Sequence, residues 1–271
     1  MSGRRARSAA VLLVGCGKMG NALLAGWMRQ RVGGPFHVVE PTPARRLRGV
    51  RYYATPDRLP AKLKPAAVVF AVKPQAFDTI VPAYRRFAES GAAMMSIAAG
   101  KTLGGMARLL GSDAALVRAM PNTPAAIGRG MTVACAWPAV NKAARTLCAA
   151  LLGAVGEVAW VADEALLDPV TAVSGSGPAY VFLFIEALTA AGEAQGLAPE
   201  LARRLAITTV AGAGELARLA TQSPAQLREA VISPGGTTRA ALDVLMAENG
   251  LARLVRDAVT AATRRSRELA Q

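Results

Sequence analysis

Over the first 160 residues, apolar positions fall in short runs separated by stretches with helical spacing. Residues 9–14 and 66–72 are continuously apolar, and mainly apolar runs carrying a polar residue or two return at 36–40, 93–98, 115–120, 131–136 and 155–161. Runs this short, without alternation, predict strands covered on both faces. Between them, apolar residues recur every three or four positions, as at Ala22, Leu23, Ala25, Gly26 and Met28, and again over 77–89, 100–110 and 139–152. From about residue 163 the strand-like runs stop. Helical patterns then cover 163–172, 178–195, 199–220, 224–231, 238–248 and 251–269. Their breakers are Ser174-Gly175-Ser176-Gly177-Pro178, Gly196, Pro199, Pro224, Pro234 and Gly250. The pattern predicts an α/β domain over 1–162 and an all-α domain over 163–271.

The turn after the first predicted strand reads Gly15-Cys16-Gly17-Lys18-Met19-Gly20. Strand, G-x-G-x-x-G turn, helix and second strand are the context that a dinucleotide-binding, Rossmann-type domain requires. Glu40 closes the second strand, where a carboxylate bonds an adenosine ribose hydroxyl and repels a 2′-phosphate. Arg45 and Arg46 follow closely and offset that repulsion, so NAD and NADP both stay open as cofactors. Ligands of such sheets lie beyond the strand C-terminal ends. That rule adds Ala71, Val72, Lys73, Pro74 and Gln75, the stretch 96–99 with Ala98, and Pro121 with Asn122 to the expected cofactor contacts.

Composition narrows the partners. A net charge of +14 raises nucleic acid or an anionic membrane as candidates. The arginines are spread along helical patterns, apart from Arg4, Arg5 and Arg7, and only 5% of residues are aromatic. Base-stacking platforms need more aromatics than that. The charge therefore reads as a solvated surface, with no nucleic acid and no membrane expected. No apolar run approaches the roughly 20 residues that span a bilayer. The basic cluster followed by residues 9–14 also fits an export signal, but the glycine turn runs straight through the cleavage point, which favours a strand. Cys16, Cys135 and Cys148 have no metal-binding spacing and leave one unpaired in any disulfide, which fits the cytoplasm. No metal site is expected, since His37 is the only histidine. The helix from Pro178 on carries Tyr180, Val181, Phe182, Leu183, Phe184 and Ile185 in succession. Apolar nearly all round, it predicts a dimer interface.

The stretch Ser233-Pro234-Gly235-Gly236-Thr237-Thr238 ends one helix and starts another. A helix start exposes backbone N–H groups and binds small anions, carboxylates among them. After Lys142 the chain has no lysine and no histidine, and Tyr180 is the only tyrosine. Ketone reduction usually calls on such a group as proton donor. A protonated imine needs none, because its carbon is already electrophilic. It needs orientation, a hydrogen bond at nitrogen and an anion site, which Thr238 and the N–H groups of Gly236, Thr237 and Thr238 can supply.

Taken together, Val14-Gly15-Cys16-Gly17-Lys18-Met19-Gly20, Ala71-Val72-Lys73-Pro74-Gln75, Arg118-Ala119-Met120-Pro121-Asn122-Thr123-Pro124, Glu164 with 168–171, Ser174-Gly175-Ser176-Gly177-Pro178-Ala179-Tyr180 and 231–238 resemble the pyrroline-5-carboxylate reductases. The likeness runs from about residue 9 to 269. It implies reduction of 1-pyrroline-5-carboxylate to L-proline by NADPH or NADH, the last step of proline biosynthesis, in a dimer often built into a decamer. It also implies that Thr238 bonds the ring nitrogen, that Gly236 and Thr237 hold the carboxylate with Ser233 and Gly235 also at the substrate, and that Glu164 and the 174–177 loop, Ser176 included, lie near substrate or nicotinamide. Glu40 departs from the small or basic residue usual in NADPH-preferring members. The competing readings are a two-domain hydroxyacid dehydrogenase, which would place a lysine on the helical domain, and a cofactor-binding regulator or nucleic-acid protein suggested by the charge.

Overall fold

The computed structural model describes residues 9–270; the arginine cluster at 4, 5 and 7 lies outside them. Eight strands form one sheet in the order β3-β2-β1-β4-β5-β6-β7-β8. They are β1 (Val11–Val14), β2 (Phe36–Val39), β3 (Val50–Tyr53), β4 (Ala67–Phe70), β5 (Ala93–Ser96), β6 (Leu116–Met120), β7 (Gly130–Ala136) and β8 (Gly156–Val161). Every pairing is parallel except β6 with β7. Strand alternation sends side chains into two cores: Leu12, Val14, Val68, Phe70 and Met94 into one, Val11, Leu13, Ala67, Val69 and Met95 into the other. Helices cover both faces, so the apolar runs are explained by burial on each side. β3 is a strand that the apolar pattern did not predict. Its Val-Arg-Tyr-Tyr sequence alternates over only four residues at the sheet edge.

The connecting helices are α1 (Lys18–Gln30), α2 (Pro74–Ile80), α3 (Arg85–Glu89), α4 (Leu103–Leu110), α5 (Lys142–Gly153) and α6 (Leu167–Val170). α1 packs closely because of a glycine: a Cβ at Gly26 would stand 2.3 Å from Val155 Cγ1. Beside it, Trp27 is fully buried and its indole N–H donates to Leu151 O at 2.8 Å. The remaining helices are α7 (Gly177–Ala194), α8 (Pro199–Leu219), α9 (Pro224–Ala230), α10 (Thr237–Leu245) and α11 (Leu251–Leu269).

The chain divides into two compact units, one holding Met1–Ser176 with Ala262–Gln271 and the other Gly177–Ala261. Within the second, α7 and α8 form a hairpin in which Ala202 and Ala206 are buried against small neighbours such as Gly192. α7 itself buries no residue, and Phe182 and Leu183 are 58% and 65% exposed in the single chain. The expected break at Ser174-Gly175-Ser176-Gly177-Pro178 is narrowed to a bend at the single residue Ser176. Residues Thr171–Gly175 instead form a π-helical turn, with the Ser176 N–H bonded to Thr171 O at 2.8 Å, and Pro178 falls in the first turn of α7, where it needs no N–H donor. Helical turns on either side of that bend together cover Glu164–Ala194. Those 31 residues are long and apolar enough to cross a membrane by length and composition, contrary to the expectation from single apolar runs.

Candidate active site

The strand order reverses about β1, which is flanked by β2 and β4. The crevice of an open α/β sheet forms at such a reversal. Two loops leave its C-terminal edge side by side, 15–20 after β1 and 71–75 after β4, joined where the Ala71 N–H donates to Val14 O at 2.8 Å. The three glycines of the first loop do separate jobs. Gly15 adopts φ +86°, and a Cβ there would sit 2.7 Å from Ala71 O. A Cβ on Gly20 would sit 2.5 Å from Gly15 O, so the turn closes only around hydrogen. Gly17 caps α1 with no side-chain bond, and nothing lies within 4 Å of where its Cβ would be. That leaves an open approach to the first N–H groups of a 13-residue helix whose first turn has no acidic residue and includes Lys18 and Met19. Such an opening fits a pyrophosphate. The residues present thus suit a dinucleotide.

Glu40 reaches back to the same turn. Its Oε2 accepts from the Cys16 N–H at 2.8 Å, and Oε1 accepts from the Thr42 N–H at 3.3 Å. The carboxylate is thereby fixed beside the phosphate-binding loop. Arg46 stacks on the Tyr52 ring, 5.4 Å from its centroid. Cys16 is buried, and burial followed by the Glu40 charge pushes its thiol up to about 11. It therefore stays neutral beneath the loop. Asn21 was not singled out in the sequence, yet its amide N–H donates to the carbonyls of Cys16 and of Gly17, the latter at 3.1 Å. Its position one residue past the fingerprint is the signal that could have found it.

In the second loop Lys73 caps α2 in extended conformation with Pro74 at the first helical position, and Lys73 and Gln75 are exposed. After β5, Ser96 is buried and its Oγ accepts from the Ala98 N–H at 3.1 Å, leaving Ala98 5% exposed. After β6, Pro121 is buried. Asn122 is tied to protein at both ends of its amide: Nδ2 donates to Ser174 O at 3.2 Å and Oγ at 3.3 Å, while Oδ1 accepts from the Met131 N–H at 2.9 Å. Asn122 thus fastens β6 to the turn that carries Ser176.

Glu164 is similarly engaged. Its Oε1 accepts from Arg118 Nη1 and from the Leu103 N–H, each at 2.8 Å. Arg118 belongs to β6 and its side chain is 7% exposed. A cation inside the apolar run of 115–120 was the sequence signal for this pair.

The second unit presents the stretch 233–238 mostly exposed. Gly235 has φ +68°, and a Cβ on Gly236 would lie 2.4 Å from Ser233 Oγ, so this turn depends on both glycines. Gly236 caps α10 without a side-chain bond. Its own N–H donates back to Ser233 O at 3.0 Å. The N–H groups at the helix start that lack an intrahelical acceptor are then those of Thr237 and Thr238. In the first unit Gly15, Glu40 and Ala71 meet around one turn, Asn122 meets Ser174, and Glu164 meets Arg118 and Leu103; the stretch 233–238 lies in the second unit.

Comparison with known proteins places this architecture. Residues 164–269 match the family model for pyrroline-5-carboxylate reductase dimerisation. The pyrroline-5-carboxylate reductase of Pseudomonas aeruginosa is 38% identical over 266 residues, covering 96% of this chain and 97% of that protein. The chain belongs to the pyrroline-5-carboxylate reductase family. Among solved reductases of this family, the Coxiella burnetii enzyme superposes with a TM-score of 0.87 at 33% identity, covering 97% of this chain and 99% of that one. The Plasmodium falciparum pyrroline carboxylate reductase with NADP bound gives 0.84 at 29% identity, over 97% and 98%. The Rossmann-type sheet followed by a helical dimerisation region, expected from the sequence, is the architecture of this reductase family.

Proposed function

We propose that this chain reduces 1-pyrroline-5-carboxylate to L-proline with NADH or NADPH, the closing step of proline biosynthesis. Family membership over the whole length carries the reading. A bound dinucleotide would deliver hydride to C2 of the pyrroline ring, the imine carbon that becomes C5 of proline; the C=N π pair would move onto nitrogen and the proton already there would stay, so no acid would be consumed. The chain's contribution is placement: the Thr238 hydroxyl bonds the ring nitrogen, and the N–H groups of Thr237 and Thr238, in the turn shaped by Ser233, Gly235 and Gly236, hold the carboxylate. The absence of lysine and histidine after Lys142 supports an imine over a ketone substrate. A hydroxyacid dehydrogenase would need such a donor. Steady-state turnover of pyrroline-5-carboxylate with each dinucleotide tests the reading; proline formation is expected, and a chain that binds dinucleotide but forms no proline refutes it.

Of the residues in the first unit, 15–20, Glu40, 71–75, Ala98, Pro121, Asn122 and Ser176 form the proposed cofactor site. We place the functional boundary at 162/163, because β8 ends at Val161 and the dimerisation match begins at 164. Glu40, fixed by the Cys16 N–H, disfavours a 2′-phosphate, so NADH is the better donor. Replacing it by Ser should raise the NADPH/NADH efficiency ratio about tenfold, or 1.4 kcal/mol. An unchanged ratio removes Glu40 from cofactor choice.

The protein acts as a homo-oligomer. The exposed faces of Phe182, Leu183 and Phe184 on α7 form the interface of a dimer, and a decamer of five dimers is the larger assembly that the resemblance implies. The helical stretch Glu164–Ala194 is accordingly read as dimer core and not as a membrane span, and no nucleic acid is a partner. Sedimentation at nanomolar concentration should give a dimer or larger; a folded monomer contradicts this. The free thiols of Cys16, Cys135 and Cys148 support a cytoplasmic setting.

A further inference from the structure

We propose that Arg118 is a positioning residue: from strand β6 it holds the Glu164 carboxylate by one oxygen so that the other is presented to the substrate. This rests on the reading that Glu164 lies near the substrate, and it adds the device that aims the side chain.

Arg118 occupies the middle of an apolar strand, between Val117 and Ala119, where a guanidinium is costly unless paired. A strand residue at this depth needs an apolar side chain for packing alone. The pairing it makes is with Glu164, 46 residues away, at 2.8 Å. The Leu103 N–H, at the N-terminus of the eight-residue helix α4, donates to the same oxygen at 2.8 Å. Two donors converging from different elements fix that oxygen in direction as well as distance. Among the described residues, no hydrogen bond reaches Oε2, and the Glu164 side chain keeps 26% of its surface exposed. A carboxylate placed only to neutralise a buried arginine would be expected to use both oxygens in a fork. Here one oxygen is anchored and one is offered. The cross-strand neighbour Cys135 adds no competing charge: burial first, then the nearby Glu164 carboxylate, keeps its thiol protonated.

An anionic oxygen facing a protonated imine stabilises the cation and orients the ring. Losing the anchor should then mimic losing the carboxylate, without touching the dinucleotide. Four variants of the full-length protein decide this: R118M, R118K, E164Q and R118M/E164Q. R118M and E164Q should each lower kcat/KM for pyrroline-5-carboxylate about tenfold, with dinucleotide Kd within twofold of the parent. The double variant should be no worse than the poorer single one, because both remove one device. R118K, which can still reach one oxygen, should fall between R118M and the parent. If R118M does not fold, R118K combined with E164Q carries the same comparison. Losses that multiply in the double variant overturn the proposal, as does R118M with parental kcat/KM beside an impaired E164Q. Parental kcat/KM in E164Q defeats the placement of Glu164 at the substrate, and the proposal with it, while proline formation by the parent still stands.

Discussion

Gly15→Ala should weaken binding of NADH and NADPH at least 100-fold, about 2.7 kcal/mol. The residue sits at φ +86°, where an L side chain costs on the order of 1 kcal/mol. The added methyl would also stand 2.7 Å from the Ala71 carbonyl oxygen and 2.9 Å from its carbon. Both are backbone atoms, held by the pairing of Val14 with Phe70. The only relief is to move the exit of β1 away from that of β4, which separates the two loops of the crevice. Thermal stability should fall with affinity, by several degrees for a domain of this size. Gly17→Ala is the control. Its φ is −69°, and nothing lies within 4 Å of the new carbon. That variant should melt like the parent yet bind dinucleotide more weakly, since the methyl occupies the open approach to the helix. Calorimetric titration beside a melting curve reads both quantities. Parental affinity in Gly15→Ala would mean that the dinucleotide does not use this turn.

Thr238→Ala should cost tenfold or more in kcat/KM for pyrroline-5-carboxylate while leaving dinucleotide affinity unchanged. One hydrogen bond to the reacting nitrogen, worth about 1.4 kcal/mol, gives that factor. Stability is the competing explanation, and the local structure answers it. Gly236 is the cap of α10, no side chain caps this helix, and among the described residues no hydrogen bond involves the Thr238 hydroxyl. Its removal should change stability by less than about 0.5 kcal/mol. Thr238→Ser keeps the hydroxyl and should stay within threefold of the parent. Equal turnover in Thr238→Ala would take the ring nitrogen away from this residue.

What the sequence disclosed follows from how locally each feature is encoded. The dinucleotide turn was legible because two of its three glycines are required by close backbone contacts and the third leaves the helix start open, all within a few residues, and Glu40 because it directly follows the next strand. β3 was hidden, since Val50-Arg51-Tyr52-Tyr53 is an edge strand too short to show a period. Two glycines and a proline near 174–178 read as a helix break, but the i→i−5 bond from Ser176 to Thr171 confines the break to a bend at Ser176. Asn122 illustrates a different limit. Its place after β6 pointed to the cofactor, whereas its amide is bonded to Ser174 and Met131. Arg118 and Glu164 are 46 residues apart, and no local pattern joins them. At 233–238 the helix start was evident, but the bond that turns the Gly236 N–H back to Ser233 was not.

The central claim is that a hydride from the nicotinamide reaches a ring which brings its own cationic electrophile. Incubating the protein with pyrroline-5-carboxylate and dinucleotide deuterated at nicotinamide C4 tests it most directly. The account predicts L-proline one mass unit heavier, with the deuterium at C5 and one dinucleotide oxidised per proline formed. Unlabelled proline, or oxidation of dinucleotide without proline, would contradict it.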